Sequence, residues 1–514
     1  MKKFLSLLGF DAEKKKTSIK TEIIAGIVTF LAMAYILTVN PNSILYAGNA
    51  SVLWPSLFIA TALGAIVGTL LMAFLAKMPL AQASGMGLNS LIGGIIGGGV
   101  GSFGYVYSFS IGQAFAMVLI SGIIFLLLSV ISIKGKTFRE LVFDGMPVSV
   151  RSAISVGIGL FIAYIGFQNA GIIVTNGFTQ VAFVDLTNWG DQTVNYLSTT
   201  GTWAAAKTAI VALIGLFLIA ILDKLKVKGA VIIGIIGATI VGIPFGVTDL
   251  SVLGGNDSGI TWKFWESFGN FFSAGETSVF GSFTTVFTDG FPSGSLFTVI
   301  MLIITMCMID MFDTMGTIVG CCGGNEILSD ENGKPKNYGK IMMADSVATC
   351  AGAALGTSTV TTFVESGAGV SAGGRTGLTA FTTACMFFLA MFAMPLFAVI
   401  PGAATAAALI YVGVLMMKGN IKSIDFSHAI NATSAFLTIA VMVLSYSITK
   451  GIGIGIISYV LMTAIEYLVN LIKYSILKKK AAEGEEIEKP VWTVSVVAII
   501  VTVLFLVYFF VPTT

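Results

Sequence analysis

The stretch Thr357–Gly377, TSTVTTFVESGAGVSAGGRTG, combines three features that a regular membrane helix does not have. Its first eight residues are mainly β-branched or hydroxylated, and such residues favour an extended strand. A single carboxylate, Glu365, follows this run, and small residues follow the carboxylate. The stretch therefore predicts a strand that turns into a short helix at a buried charge.

Composition places this stretch in a membrane protein. Of the 514 residues, 56% are hydrophobic and only 11% are charged, and the mean hydropathy is +0.93. Charged residues make up about a quarter of a soluble domain, so the chain is predicted to be polytopic and surrounded by lipid. No basic patch for nucleic acid is visible. The five cysteines lack metal-ligand spacing and His428 is the only histidine, so we expect neither a metal site nor a cofactor.

Twelve apolar stretches are long enough to cross about 30 Å of hydrocarbon. They lie near 21–39, 54–76, 109–133, 148–174, 207–222, 229–246, 293–320, 339–356, 378–399, 402–417, 429–448 and 451–476. Two further segments, 79–97 and 357–375, are interrupted by glycine, proline or β-branched residues and are predicted to be discontinuous. The prediction is fourteen transmembrane elements. The run 491–511 is either a fifteenth span or an accessory helix.

The distribution of basic residues supports this number. With the amino terminus in the cytosol, 25 of the 28 lysines and arginines fall on the cytosolic side, and only Lys207, Lys263 and Lys450 fall outside. Cytosolic loops of membrane proteins carry such an excess of basic residues. We therefore expect a multi-pass protein of the cell membrane with a cytoplasmic amino terminus.

A short repeat relates the two halves. The sequence Ser84-Gly-Met-Gly recurs 282 positions later as Ser366-Gly-Ala-Gly. Each copy lies in the third element of its seven-element half, and an odd number of elements inverts the second half relative to the first. The predicted fold is an all-α polytopic protein with a 7+7 inverted repeat. Its parts are a tail (1–20), a first repeat (21–246), an outer loop (247–291), a second repeat (292–477) and a charged linker with an extra apolar helix (478–514).

The two interrupted elements predict a binding site. Unpaired backbone groups at membrane depth cost several kcal/mol each, so the strands near 79–84 and 357–364 are expected to pair with each other. Free amides at the start of the second half-helix, from Ser366, Gly367 and Ala368, would then face a cavity. Glu365 stands at this turn and Asn89 about one turn into the first half-helix. A purely structural role remains open for each of these two side chains.

Two further acids lie on the eighth element, MIDMFDTMGT. Asp310 and Asp313 are three positions apart and share one face of a helix. An ionisable residue at this depth costs about 3 kcal/mol on insertion scales and therefore indicates function. One of the two acids is alternatively a supporting group that only bonds to the interrupted elements.

Five segments resemble the azaguanine-type purine permeases of the nucleobase–cation symporter superfamily. They are TEIIAGIVTFLAMAYILTVNP (21–41), SGMGLNS (84–90), SVGIGLFIAYIGFQNAGIIV (155–174), MIDMFDTMGT (308–317) and TSTVTTFVESGAGVSAGGRTGLTA (357–380). The resemblance covers about Thr21 to Lys422 and implies a core domain that holds the substrate and a gate domain against which it moves. It implies proton-coupled uptake of hypoxanthine, guanine and adenine. The implied binding carboxylates are Asp310 and Glu365, with Asn89 as polar contributor and Asp313 as neighbour.

From the residues, a purine would offer N–H groups to Glu365 and Asp310 and acceptors to the amides of 366–368. Proton coupling follows if one carboxylate binds the base well in only one protonation state.

An intramembrane aspartyl protease needs its aspartates in Tyr-Asp and Gly-x-Gly-Asp settings, which are absent, so we do not expect an enzyme. An anion carrier is disfavoured because buried carboxylates repel anions. A xanthine/urate or pyrimidine permease, sodium coupling and a homodimer remain open.

Overall fold

The computed structural model describes most of the chain. The described residues are 10, 17–45, 51–96, 109–133, 136–137, 145–176, 180–184, 186, 192–196, 199–203, 206–227, 229–254, 260–272, 278–280, 286, 290–322, 327–329, 335–480 and 488–510.

Helices dominate the described residues. In chain order they are α1 (Ile19–Met33), α2 (Ile36–Ile44), α3 (Trp54–Leu71), α4 (Met86–Ile95), α5 (Ile111–Val130), α6 (Val148–Asn169), α7 (Ala206–Lys224), α8 (Ala230–Gly242), α9 (Phe264–Phe271), α10 (Leu296–Cys322), α11 (Tyr338–Ala354), α12 (Ser366–Ser371), α13 (Gly377–Met391), α14 (Met394–Ala398), α15 (Gly402–Asn420), α16 (Ala429–Leu444), α17 (Ile448–Lys480) and α18 (Val496–Phe510).

The strands form four antiparallel pairs. They are β1 (Gln82–Ser84) with β8 (Val360–Thr362), β2 (Ser132–Ile133) with β3 (Lys136–Thr137), β4 (Ile173–Asn176) with β5 (Gln180–Phe183), and β6 (Gln192–Tyr196) with β7 (Thr199–Trp203). The pairs β4–β5 and β6–β7 lie between α6 and α7 in the sequence.

The helices confirm the predicted membrane elements. Every one of the twelve predicted spans coincides with a described helix, and both interrupted segments consist of a strand followed by a short helix. Within the described residues, eight helices are long and apolar enough to cross a membrane, and five shorter apolar helices have 10–17 residues. The burial of an apolar surface in lipid therefore sets the architecture.

The two interrupted elements pair as predicted. Gln82 lies opposite Thr362, Ala83 opposite Thr361, and Ser84 opposite Val360. The amides of Phe363 and Gly85 extend this ladder by donating to the carbonyls of Ala81 and Thr359. All six strand residues are buried. Because water is absent at this depth, the ladder satisfies backbone groups that would otherwise be unpaired.

Helix α3 lies very close to this ladder at Gly68. A Cβ atom at Gly68 would stand 2.6 Å from Cγ1 of Val360 and 3.0 Å from Oε1 of Gln82. Only glycine fits without displacing the strands, so this position fixes how near the helix backbone and the ladder can be.

Two predicted spans are broken in the structure. The first span, 21–39, is interrupted at Ala34 and Tyr35, where the amides of Leu37 and Thr38 bond to carbonyls three residues earlier. The span 378–399 is interrupted at 392–393, just before α14. Pro395 in the first turn of α14 explains the second break. No glycine or proline marks the first break.

The described chain divides into two compact units. One contains residues 1–130 and 162–415 with both interrupted elements, and the other contains 131–161 and 416–513. In the second unit, α18 runs antiparallel to α17: Trp492 packs against Tyr467, whereas Phe505 and Phe509 lie at Gly453. The extra helix is therefore packed lengthwise against the last predicted span.

A buried carboxylate on α1 connects this helix with the start of α13. Glu22 on α1 accepts hydrogen bonds from the amide of Arg375 (2.9 Å) and from the amide and hydroxyl of Thr376 (3.2 and 2.9 Å). It also accepts from the hydroxyl of Thr379 at 2.5 Å. These donors belong to the amino-terminal turn of α13, where a negative charge is favoured. Glu22 thus caps a helix more than 350 positions away in sequence.

We expect Glu22→Gln to lower the stability of the protein. The substitution replaces one carboxylate oxygen by an N–H₂ group, which then faces either the amide of Arg375 or the three donors at the other oxygen. Leaving a buried donor unsatisfied costs about 1–3 kcal/mol. A thermal unfolding scan in detergent measures the effect as a lower Tm. The matched control is Glu266→Gln, which changes only an exposed pair with Lys263 and should leave the Tm nearly unchanged. Equal Tm values for both variants would contradict the capping role.

Candidate functional site

Glu365 lies at the junction between β8 and α12, as the sequence predicts. Its side chain is buried, with 4% of its surface exposed. One carboxylate oxygen, Oε1, accepts a hydrogen bond from the hydroxyl of Tyr35. The other oxygen, Oε2, has no hydrogen-bond partner among the described residues. A buried acceptor without a partner is costly, so this oxygen is suited to receive a donor from a ligand.

Tyr35 occupies the break between α1 and α2 and is buried as well. Its hydroxyl lies 3.6 Å from Sδ of Met86, the first residue of α4, in addition to its bond with Glu365. The tyrosine therefore connects the first membrane element with the starts of both half-helices. The sequence does not reveal this residue, because an aromatic side chain within an apolar run carries no visible sign of a polar contact.

Asn89 lies one turn into α4 and is fully buried. Its carbonyl oxygen Oδ1 accepts hydrogen bonds from the hydroxyls of Ser84, at 3.0 Å, and Ser358. Its nitrogen Nδ2 has no partner among the described residues. Asn89 therefore contributes an unused donor, whereas Glu365 contributes an unused acceptor.

The two aspartates of α10 have different surroundings. Asp310 is fully buried and accepts a hydrogen bond from the hydroxyl of Thr349 on α11 at 2.9 Å. Asp313 is half-buried and lies within electrostatic reach of Glu365 and Asp345. The structure thus brings Asp313 toward Glu365 and holds Asp310 against the neighbouring helix.

A third acid, Asp345 on α11, supports the ladder. Its Oδ1 accepts from Nε2 of Gln82 at 2.9 Å, and its Oδ2 accepts from the hydroxyl of Thr314 at 2.8 Å. Thr314 also shares a hydrogen bond with Thr361 in β8, at 2.6 Å. Asp345 was not predicted as a site residue, although an ionisable side chain inside a predicted span is a signal that would have identified it.

The amides at the start of α12 are engaged in this structure. The N–H groups of Ser366, Gly367 and Ala368 donate to the carbonyls of residues 363, 364 and 365 at 3.1, 3.0 and 2.9 Å. These bonds form a tight turn, so the three amides are not free as the sequence predicts. Ser366 contributes its hydroxyl instead to the ladder, accepting from the amide of Ala81 at 3.0 Å.

The arrangement offers both a hydrogen-bond donor and a hydrogen-bond acceptor to a small ligand. A free donor and a free acceptor come from the two interrupted elements, and a half-buried acid lies near the acceptor. Ligand sites of this kind combine an apolar lining with a few oriented polar groups.

Comparison with known proteins identifies the family of this chain. A family model described as "Permease family" matches residues 20–454. The guanine/hypoxanthine permease PbuO of Bacillus subtilis is 35% identical over 458 residues, covering 88% of this chain and 94% of that protein. The adenine permease AdeQ of Escherichia coli is 33% identical over 453 residues, covering 88% and 89%.

A solved structure gives the fold. The transmembrane domain of a cyanobacterium bicarbonate transporter, BicA, superposes with a TM-score of 0.58 and 14% identity, covering 83% of this chain and 96% of that one. This likeness confirms the predicted inverted-repeat membrane fold. At this identity it carries no information about the substrate.

Proposed function

The chain belongs to the permease family whose model matches residues 20–454, and we propose that it carries purine nucleobases across the cell membrane together with protons. The relatives named guanine/hypoxanthine and adenine permeases support hypoxanthine, guanine and adenine as substrates. Their resemblance to this chain agrees with the azaguanine-type motifs in the sequence. In this proposal the base crosses the membrane without chemical change.

One observation carries the choice of site. Nδ2 of Asn89 and Oε2 of Glu365 are buried polar atoms without described partners, and they belong to the two half-helices that follow the ladder. A purine offers N–H groups and ring nitrogens on neighbouring positions, so one base satisfies both atoms. Both halves of the protein then hold the substrate at once.

Asp313 is proposed as the second acid of the site, and Asp310 as a supporting residue. The half-buried position of Asp313 near Glu365 suits a contact with an N–H group of the base. Asp310, already bonded to Thr349, positions α10 against α11. The amides of Ser366, Gly367 and Ala368 contribute to binding only if their turn opens.

Charge balance supports coupling to a cation. The base is neutral, whereas Glu365 and Asp313 are acids in a membrane-embedded site, and moving uncompensated charge through a low-dielectric region is costly. A proton carried on Glu365 removes one of these two charges during the transport step. Alternating access is proposed as a movement of the core domain past the gate domain around a site at mid-membrane.

The proposed orientation places the amino terminus in the cytosol, because 25 of the 28 basic residues then lie on the cytosolic side. Lipid surrounds the helices, and a homodimer remains a prediction.

Uptake into proteoliposomes tests the function. We expect labelled hypoxanthine to accumulate when the inside is more alkaline than the outside, and we expect unlabelled guanine and adenine to compete. Accumulation that follows a sodium gradient and ignores the proton gradient would contradict proton coupling. Competition by uracil but not by purines would contradict the substrate class.

We expect Glu365→Gln to abolish accumulation while transport to equal concentrations persists. Glutamine retains an oxygen that accepts an N–H group, but it does not carry a proton. Uptake of labelled hypoxanthine under a proton gradient measures this, with Glu266→Gln in the outer loop as the matched control. Accumulation at the wild-type level by the Glu365 variant would remove this carboxylate from the coupling mechanism.

The two aspartates of α10 are expected to differ. Asp313→Asn should weaken hypoxanthine binding by about tenfold, since a hydrogen bond to a charged group contributes about 1.5–3 kcal/mol. Asp310→Asn should instead lower the Tm, because its partner is Thr349. A binding titration and an unfolding scan on both variants distinguish the roles. Loss of affinity in the Asp310 variant alone would assign the substrate contact to Asp310.

Tyr35→Phe removes the donor to Oε1 of Glu365 while keeping the ring. The carboxylate then loses its fixed orientation, and we expect the KM for hypoxanthine to rise by about tenfold. The control is Tyr474→Phe, whose ring lies beside Lys478 near the end of α17 and should transport normally. An unchanged KM in the Tyr35 variant would show that the tyrosine does not orient Glu365.

A further inference from the structure

An asparagine side chain offers an acceptor on one side and a donor on the other. Which of the two meets a ligand depends on the groups around the amide. At Asn89 the acceptor oxygen faces two serine hydroxyls, and the nitrogen is left without a described partner. A hydroxyl can also accept, so the two serines alone do not determine this orientation. The rest of the buried hydrogen-bond chain determines it.

The chain of hydrogen bonds begins at the backbone carbonyl of Leu57, a group that can only accept. The hydroxyl of Thr61 donates to the carbonyl of Leu57 at 2.6 Å. Because its single proton is used there, Thr61 meets Asn40 as an acceptor, and Nδ2 of Asn40 donates to it at 2.7 Å. The second N–H of Asn40 donates to the hydroxyl oxygen of Thr357 at 2.9 Å.

The direction of donation continues toward the site. Thr357 accepts from Asn40, so its own proton is available for the hydroxyl oxygen of Ser84, 3.3 Å away. Ser84 and Ser358 also share a hydrogen bond with each other. Ser84 therefore donates either to Oδ1 of Asn89 directly, at 3.0 Å, or to Ser358, which donates to that oxygen. All three hydroxyl protons find an acceptor in this arrangement. A turned amide at Asn89 would leave the proton of Ser358 without an acceptor among these groups.

We propose that this ordered chain keeps Asn89 as a donor toward the substrate and so selects bases with an acceptor at ring position 3. The proposal rests on the proposed function and specifies which edge of the base is recognised. Ser84 and Ser358 are positioning residues, since they act through Asn89. Asn89 and Glu365 together form a donor–acceptor pair whose polarity is fixed by the protein.

The donor and acceptor positions of the purine bases identify the edge that Asn89 and Glu365 recognise. In their common tautomers hypoxanthine, guanine and adenine share one pair of neighbouring positions with the same pattern, an acceptor at N3 beside an N–H at N9. Their edges at positions 1 and 6 differ, because adenine reverses the pattern of the other two. Xanthine and urate carry an N–H at position 3. That N–H would meet the donor of Asn89, leaving two buried donors unpaired, and sites that rely on hydrogen bonds reject such analogues strongly.

The test measures how well xanthine competes with labelled hypoxanthine in weakly acidic medium, where xanthine is uncharged. In the wild type, we expect xanthine to inhibit at least about 100-fold more weakly than unlabelled hypoxanthine. The variant Ser84→Ala/Ser358→Ala frees the amide of Asn89 to turn. In this variant we expect the ratio to fall about tenfold, because xanthine gains affinity relative to hypoxanthine.

A variant distant from the base provides a second test. Thr61→Val removes the first hydroxyl of the hydrogen-bond chain and does not alter Asn89 or its direct partners. It should also lower the ratio between xanthine and hypoxanthine, by a smaller factor than the double serine variant. Ser121→Ala is the matched control, because Ser121 is a buried serine of α5 that takes no part in this chain. Its ratio should equal that of the wild type.

The outcomes separate the two proposals. If the wild type does not take up hypoxanthine, the proposed function fails. If it does, but xanthine competes equally well, the inference fails alone. An unchanged ratio in the double serine variant with intact hypoxanthine uptake also overturns it. Should that variant lose uptake, the ratio of the Thr61→Val variant decides, and a wild-type ratio there overturns the inference.

Discussion

The absence of water at mid-membrane is the constraint on which the whole structure depends. A chain that leaves the helical conformation there exposes amides and carbonyls that lipid cannot satisfy. This protein interrupts two elements, and the strands β1 and β8 satisfy each other. The ladder requires both elements to lie in the middle of the protein, with α3 close against it at Gly68. The starts of both half-helices therefore meet in one place.

The same constraint explains why most polar groups around the ladder have hydrogen-bond partners. On one side of the ladder, Asp345 accepts hydrogen bonds from Gln82 and Thr314. On the side of Asn89, Thr357 forms hydrogen bonds with Asn40 and Ser84. In a low-dielectric interior every unpaired polar atom is costly, whereas satisfied networks are rigid. Within the described residues, Oδ1 of Asn40, Oε1 of Gln82 and Oγ1 of Thr359 also lack a partner, but the oxygen of Glu365 and the nitrogen of Asn89 lie at the starts of the two half-helices. In the proposed function, a bound base offsets the cost of these two atoms.

Much of this arrangement was predictable from the sequence. Apolar length gave the spans, and the β-branched run before Glu365 predicted the strand and its partner, because few other solutions satisfy the backbone. The break at Tyr35 was not predictable, since no glycine or proline marks it and the hydrogen-bond partner of Tyr35 lies 330 positions away. The different surroundings of Asp310 and Asp313 were equally hidden. Spacing places both on one helix face, but only the position of α11 and its Thr349 distinguishes them.

The central claim is that one base is held simultaneously by the two interrupted elements. A structure of the protein in a lipid nanodisc with hypoxanthine bound measures this most directly. The account predicts density for the base within hydrogen-bond distance of both the Asn89 amide nitrogen and the Glu365 carboxylate. A base that contacts only one of these two elements, or that lies elsewhere in the protein, would contradict it.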